Sequence, residues 1–339
     1  MKKENTLYQE DLKRILNVPN INSLKGKNIL ITGATGLIGV HLIDALMLMG
    51  EIRVFAVGRN RDSAESRLGD YFGDPHFTFI EQDVCNPLPD AKVDYIIPLA
   101  SNTHPLAYSQ YPIETLLINV KGAEHALNLA VKNNAIVLYP SSVEIYGNAR
   151  NNDTFNENYT GELNLNNERS CYPESKRAAE ALCQSYIAEK KAKVKIARLS
   201  RIFGPTMLMT DTKASSQFII KAVHNEDIIL KSNGNQHFSY TYVTDAVCAM
   251  IYIMLNGENG TVYNISNEKC NVYLRDFARL CAEYNDKKIV YDIPDDIEKK
   301  GFSIAAKAIM NNERLKALGW ESHYDISMAI KRTIDILRS

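Results

Sequence analysis

Residues Asn28 to Met49, NILITGATGLIGVHLIDALMLM, carry the reading that decides the fold. Asn28 to Ile31 form a short β-branched run, ended by the turn Thr32-Gly33-Ala34-Thr35-Gly36. From Leu37 to Met49 the residues Leu37, Ile38, His41, Leu42, Ala45, Leu46 and Met49 recur at helical spacing. A strand, a turn with glycines at 33, 36 and 39, and a helix in direct succession suit a dinucleotide pyrophosphate. Glycines let the backbone come close to the phosphates, and the helix start turns N–H groups and a positive dipole towards them. A turn kept glycine-rich only for tight packing is the alternative.

The alternation continues downstream. Strand runs fall at Arg53 to Val57, Phe77 to Glu81, Tyr95 to Leu99, Ile136 to Tyr139 and Val194 to Ala197. Helical patterns at Ala64 to Phe72, Ile113 to Asn133 and Pro173 to Lys190 lie between them. Continuous apolar strands joined through helices predict an α/β fold, a Rossmann-type doubly wound parallel sheet covered on both faces. Beyond Arg198 the pieces shorten, with helices at Ala214 to His224 and Asp245 to Leu255 among brief strands. The expected division is an N-terminal helical extension over 1–27, a dinucleotide-binding domain over 28–198 and a smaller, mainly substrate-binding α+β domain over 199–339, some of whose segments return to the large sheet.

Composition narrows the partners. With 39 basic against 40 acidic residues the net charge is -1, so no global field exists to grip nucleic acid or an acidic membrane surface. No stretch reaches the roughly 18 apolar residues of a membrane span, and the charged N-terminus MKKENTLYQEDLKRILNV does not read as a signal peptide. Six cysteines without CxxC spacing read as reduced thiols of a cytoplasmic protein. The seven histidines form no HxxxH or HExxH pair, so no metal site is expected.

Tyr172 and Lys176 stand four apart in CYPESKR, with Pro173 suited to a first helical turn, so both side chains share a face. An ammonium beside a phenol favours phenolate, which makes Tyr172 a usable base. Ser142, at the end of the fifth strand, can offer its hydroxyl to the same substrate oxygen. Where NAD-selective folds end the second strand in a carboxylate, this chain reads Val57-Gly58-Arg59. Arg59 either pairs with a 2′-phosphate, which leans towards NADP over NAD, or is a solvated arginine. Asp83 either contacts adenine or closes a turn after its strand.

These stretches together resemble the extended short-chain dehydrogenases/reductases, the nucleotide-sugar epimerases and dehydratases, whose glycine turn has this GxxGxxG spacing. The resemblance rests on TGATGLIG (Thr32 to Gly39), Asp83, LAS (Leu99 to Ser101), INVKG (Ile118 to Gly122), SSVEIYG (Ser141 to Gly147), YPESK (Tyr172 to Lys176), FGP (Phe203 to Pro205), YVTD (Tyr242 to Asp245) and YNIS (Tyr263 to Ser266). RSCYPESKRAAEALC is most similar to the UDP-glucuronate decarboxylase and dTDP-glucose 4,6-dehydratase branch. The resemblance implies hydride removal from C4 of a nucleotide-diphosphate sugar by NAD or NADP, giving a 4-keto sugar, in a homodimer built through Ile113 to Asn133 and Pro173 to Lys190. It implies cofactor contacts from Gly33, Thr35, Gly36, Leu37, Ile38, Gly39, Arg59, Asp83, Val84, Leu99, Ala100, Ser101, Asn119, Tyr172 and Lys176. Tyr172 would be the base, Lys176 its activator and ribose anchor, and Ser142 the hydroxyl on the C4 oxygen. Glu144 falls where the family holds a base for the C5 proton, and the two-residue period of a strand end would aim it to Ser142's side; otherwise it is a loop glutamate.

The substrate half departs from the pattern. Val143 replaces the Asp of dehydratases and the Ser of decarboxylases. The arginine for the substrate's pyrophosphate or carboxylate falls on Phe238, and a phosphate-binding asparagine falls on Arg201. Phe238 is then either part of the substrate wall or a core aromatic, with Arg201 or His237 supplying the lost cation; Gln217 completes the expected substrate set. The leading expectation is an NAD(P)-dependent nucleotide-sugar epimerase/dehydratase with Ser142, Glu144, Tyr172 and Lys176 in the chemistry. The alternatives are an NADPH-dependent 4-keto-sugar reductase, a decarboxylase-like enzyme, and a catalytically silent NAD(P)-binding module.

Overall fold

A computed structural model describes residues 4–103, 105–150, 153–292 and 306–339; the first three residues of the N-terminal extension lie outside the described residues. The first half of the chain supplies β1 (Asn28–Thr32), β2 (Arg53–Gly58), β3 (Phe77–Glu81), β4 (Tyr95–Pro98), β5 (Ile136–Ser142) and β6 (Lys193–Leu199). The rest adds β7 (Arg201–Phe203), β8 (Ile228–Leu230), β9 (His237–Tyr242), β10 (Val262–Ile265), β11 (Asn271–Tyr273), β12 (Ile289–Tyr291) and β13 (Lys307–Ala308). The helices are α1 (Thr6–Ile15), α2 (Leu37–Met49), α3 (Arg61–Leu68), α4 (Pro105–Gln110), α5 (Pro112–Asn133), α6 (Cys171–Lys190), α7 (Ala214–Val223), α8 (Val243–Asn256), α9 (Leu274–Glu283), α10 (Glu313–Ala317) and α11 (Ile326–Arg338).

Seven strands form a parallel sheet in the order β10-β6-β5-β4-β1-β2-β3. The chain runs outward from β1 to β3 and then returns to β4 on the other side of β1. That reversal leaves a crevice at the carboxyl ends of β1 and β4, where open α/β sheets take their ligands. β1 is apolar over Ile29 to Ile31 because it is covered on both faces: Ile29 and Ile31 pack in the cluster that holds α2 and α8, Leu30 in the one that holds α5 and α6.

Local signals explain the long helices. α5 starts with Pro112 in its first turn and stops at Asn134, which takes the left-handed conformation at φ 52. α3 is capped by the Asn60 side chain and ends at Leu68; the rest of the helix expected to reach Phe72 is a tight turn over Gly69–Tyr71. The N-terminal extension is anchored rather than appended. The buried Asp11 carboxylate accepts from Tyr242 Oη (2.6 Å), Tyr324 Oη (2.7 Å) and Arg332 Nε (3.0 Å), fastening α1 to β9 and to the C-terminal segment.

A second, smaller sheet is centred on β9. Its first half pairs with β11 (antiparallel) and β13 (parallel), and its second half with β7 (parallel), with Arg201 opposite Tyr240. The sequence signalled neither β7 nor the short helix α4, and both contribute to the site. Among the described residues no helix is long and apolar enough to cross a membrane, and no cluster of His, Cys, Asp or Glu could hold a metal ion.

Candidate active site

Gly33 takes φ +64, and a Cβ on it would stand 2.7 Å from Ala100 N and 2.8 Å from the Leu99 carbonyl carbon. A Cβ on Gly39 would stand 2.6 Å from the Gly33 carbonyl oxygen. The turn therefore packs backbone on backbone, and Ala100 N is fixed by donating to Thr32 Oγ1 at 3.1 Å. Gly36 caps α2 without any side-chain hydrogen bond, so the first N–H groups of the helix are left for a ligand. They open on a cleft of about 1180 Å³ whose wall here includes Gly33, Thr35, Gly36, Leu37, Ile38, Gly39, Arg59, Asp83, Val84, Leu99, Ala100 and Ser101. A cradle that any Cβ would fill, at a helix start and a strand-order reversal, fits the pyrophosphate of a dinucleotide.

Other expected cofactor residues are placed differently. Arg59 lines the cleft but is ion-paired to Glu114 of α5 at 2.5 Å, with both side chains exposed. Asp83 lines the cleft and also closes its turn, accepting from Cys85 N at 2.8 Å. Asn119 lies away from the cleft wall. It is buried between α5 and α6, where it donates to Ser175 Oγ at 2.9 Å.

Across the cleft, β5 ends at Ser142, which lines the wall together with Tyr172 of α6. Burial pushes the Tyr172 phenol up to about 12; the Ser142 hydroxyl pulls it down and the Glu144 carboxylate raises it further. Lys176 is deeply buried and donates to the Pro140 carbonyl at 2.9 Å, and burial lowers its ammonium to about 8. The expectation that Lys176 holds the phenol below its ordinary value is corrected here: loss of solvation outweighs the other influences on Tyr172. Tyr108 of α4, which nothing in the sequence singled out, stacks on the Tyr172 ring at 4.8 Å and 21°. Ser141 was also missed; it lines the cleft with a buried hydroxyl that has no partner among the described residues.

Glu144 reaches the cleft by a route other than strand alternation. The strand stops at Ser142, and Val143–Tyr146 form a 3-10 turn capped by Ser142 Oγ, which accepts from Glu144 N at 3.2 Å. Arg177 of α6 fastens this turn by donating to the Ile145 carbonyl (2.8 Å). Arg198 of β6 grips Glu180 of α6 in a two-pronged pair (3.0 and 2.7 Å) and donates to Tyr146 Oη (3.0 Å). Ser142, Glu144 and Tyr172 are thus locked together through buried backbone and charge. Val143 is buried and supplies apolar wall.

In the substrate half, Arg201 donates to Glu144 Oε1 at 3.0 Å, and its guanidinium lies 3.6 Å from the centre of the Phe238 ring. Phe238 is therefore both buried and cleft-lining. His237 is corrected as a substrate cation: it is stacked on Tyr273 at 4.4 Å and is absent from the cleft wall, because the period of β9 gives that wall Gln236, Phe238 and Tyr240 instead. Gln217 lines the cleft and donates to the Asp211 carbonyl.

The model of the NAD dependent epimerase/dehydratase family matches residues 29–266. The chain belongs to this family. Relatives within the epimerase/dehydratase family include UDP-glucuronic acid decarboxylase 1 of Xenopus tropicalis, 32% identical over 320 residues, covering 92% of this chain and 72% of the relative. UDP-glucuronic acid decarboxylase 3 of Arabidopsis thaliana is 33% identical over 296 residues, covering 86% and 84%. The fold matches the solved structure of the dTDP-glucose 4,6-dehydratase DesIV of Streptomyces venezuelae with NAD and TYD bound, with TM-score 0.79 at 18% identity over 92% of this chain and 97% of that one. It also matches UDP-glucuronic acid 4-epimerase of Bacillus cereus in complex with UDP-glucuronic acid and NAD, with TM-score 0.78 at 18% identity over 91% and 98%. As a family member the chain is an NAD-dependent enzyme of nucleotide-sugar metabolism.

Proposed function

We propose that the chain oxidises C4 of a nucleotide-diphosphate sugar to a 4-keto sugar and that Glu144 then takes the proton from C5. The observation that carries this reading is the meeting of Ser142, Glu144 and Tyr172 on the wall of the cleft that the glycine turn also lines. Bound dinucleotide supplies the hydride acceptor. Ser142 and Tyr172 hold the C4 hydroxyl between them, and Tyr172, reacting as its phenolate, accepts its proton as the C4–H bond breaks. A C4 ketone acidifies C5–H, and Glu144 is a carboxylate on the wall that Ser142 and Tyr172 line. With its true substrate the enzyme is expected to exchange the C5 hydrogen for deuterium from heavy water, and Glu144→Gln to stop that exchange while cofactor is still reduced. Turnover without deuterium at C5 would make Glu144 structural and leave a simple 4-epimerase or reductase.

The reductase reading, with NADPH, is favoured by Gly58 and Arg59 in place of an acid at the end of β2. Arg59 must exchange Glu114 for a 2′-phosphate, so a gain for NADP is offset by the lost ion pair. If that exchange occurs, Arg59→Asp weakens NADP by about tenfold or more and NAD little, as loss of a charge-assisted pair requires. An unmoved NAD to NADP ratio in titrations would leave Arg59 as a surface cation.

A homodimer and a cytoplasmic location complete the reading. Ile113, Leu116 and Leu117 expose an apolar stripe on α5, and the six cysteines are unpaired. Sedimentation giving the mass of one chain would remove the dimer.

A further inference from the structure

Lys176 carries a charge where few groups can hold it. Its ammonium is buried against the end of β5, and among the described residues its single hydrogen bond goes to the Pro140 carbonyl at 2.9 Å. A buried ammonium with one neutral acceptor is strongly disfavoured. Glu180, one turn further along α6, is the carboxylate whose charge it feels, but Arg198 of β6 takes both oxygens of that group at 3.0 and 2.7 Å. Cys183 stays a neutral thiol, since burial pushes it up to about 12. None of the buried residues of α5 is charged, and Lys195 of β6 turns to α8, where it donates to the Met254 carbonyl at 2.7 Å. The remaining contact of the ammonium is aromatic.

Lys176 Nζ lies over the ring of Tyr139, 5.1 Å from its centre, within the reach at which a cation is drawn to an aromatic face. Exclusion of water strengthens that attraction, and Tyr139 is only 2% exposed. The Tyr139 hydroxyl has no partner among the described residues. A buried hydroxyl without a hydrogen bond destabilises, so the ring and not the oxygen is what this position contributes. We propose that Tyr139 is a positioning residue for Lys176, its ring face holding the ammonium charged and fixed against β5. Neighbouring residues of one strand then grip the same ammonium, Pro140 with its carbonyl and Tyr139 with its face. The consequence for the reaction rests on the reading that Lys176 serves the Tyr172 phenolate.

The test is an NMR titration of the intact chain with carbon-labelled lysine, the Lys176 signal being the one absent from Lys176→Arg. Tyr139→trifluorophenylalanine keeps the shape of the ring but strips its face of negative charge, and Tyr139→Leu removes the ring. Both should lower the Lys176 midpoint by about one pH unit or more, a tenfold loss of proton affinity. Tyr139→Phe keeps the face and should stay within about half a unit of the wild type. An unmoved midpoint in the fluorinated variant overturns the proposal. A shift in Tyr139→Phe as large as that in Tyr139→Leu overturns it too, since the hydroxyl would then hold the ammonium. Where Tyr139→Leu does not fold, the two aromatic variants still decide. The ammonium is present below its midpoint and lost above it, so the alkaline limb of NAD reduction by UDP-glucuronate should move down with the midpoint. A midpoint that falls while this limb stays in place upholds the grip of Tyr139 on Lys176 and removes the role given to Lys176 in the reaction.

Discussion

Tyr172→Phe is expected to lower kcat by about 10² to 10⁴-fold, the usual contribution of a positioned proton acceptor, while affinity for NAD stays within about threefold. The change removes one oxygen and leaves the ring, so the stack on Tyr108 at 4.8 Å and the packing of α6 persist. Ser142 remains to hold the C4 hydroxyl but has no acceptor to pass its proton to. Stopped-flow measurement of cofactor reduction separates this from a binding defect. A variant that keeps most of the wild-type rate would remove Tyr172 from the chemistry. The pH profile gives a second handle. Lys176 keeps its ammonium below about pH 8 and loses it as pH rises through that value. Activity that depends on this charge falls on the alkaline side, and Lys176→Arg, whose guanidinium does not deprotonate, shifts that limb upward.

Gly33→Ala is expected to destabilise the fold by about 2 to 5 kcal/mol, from left-handed strain and overpacking together. Most overpacking is relieved by a side chain that swings away. Here the added Cβ meets Ala100 N at 2.7 Å and Leu99 C at 2.8 Å, both main-chain atoms at the end of β4, so relief requires a strand end to move. Because that movement widens the turn under the pyrophosphate, cofactor affinity should fall with stability. Urea unfolding and NAD titration check the two effects. A Gly33→Ala protein with wild-type stability and affinity would show that the turn has slack the geometry denies it.

The glycine turn and the helical face of Tyr172 were legible in the sequence because their signals are local. Glycines at 33, 36 and 39 follow one strand, and Tyr172 and Lys176 share one helical face, so spacing alone assembles them. The substrate half depends on contacts between elements far apart in the chain. Whether His237 or Phe238 faces the cleft follows from how β9 pairs with β11 and β7, and no local pattern fixes that phase. The stack of Arg201 on Phe238 exists only once β7 and β9 are neighbours. Tyr108 reaches Tyr172 from a six-residue helix too short to leave a periodic signal. Glu144 lies on the cleft wall, but the local geometry there is a capped turn and not a strand end.

The two halves of the cleft are carried by different sheets. Tyr172, Ser142 and the glycine turn hang from the seven-stranded sheet, whereas Arg201 and Phe238 sit on β7 and β9, which hydrogen-bond to one another and not to that sheet. Redesign can exploit this separation. Side chains at 201 and 238 can be exchanged, with size and charge traded between two adjoining strands, and Ser142, Tyr172 and the glycine turn keep their backbone, while Glu144 loses the partner that Arg201 gives it. A library confined to those two positions explores which sugars are accepted without searching again for a working oxidation step.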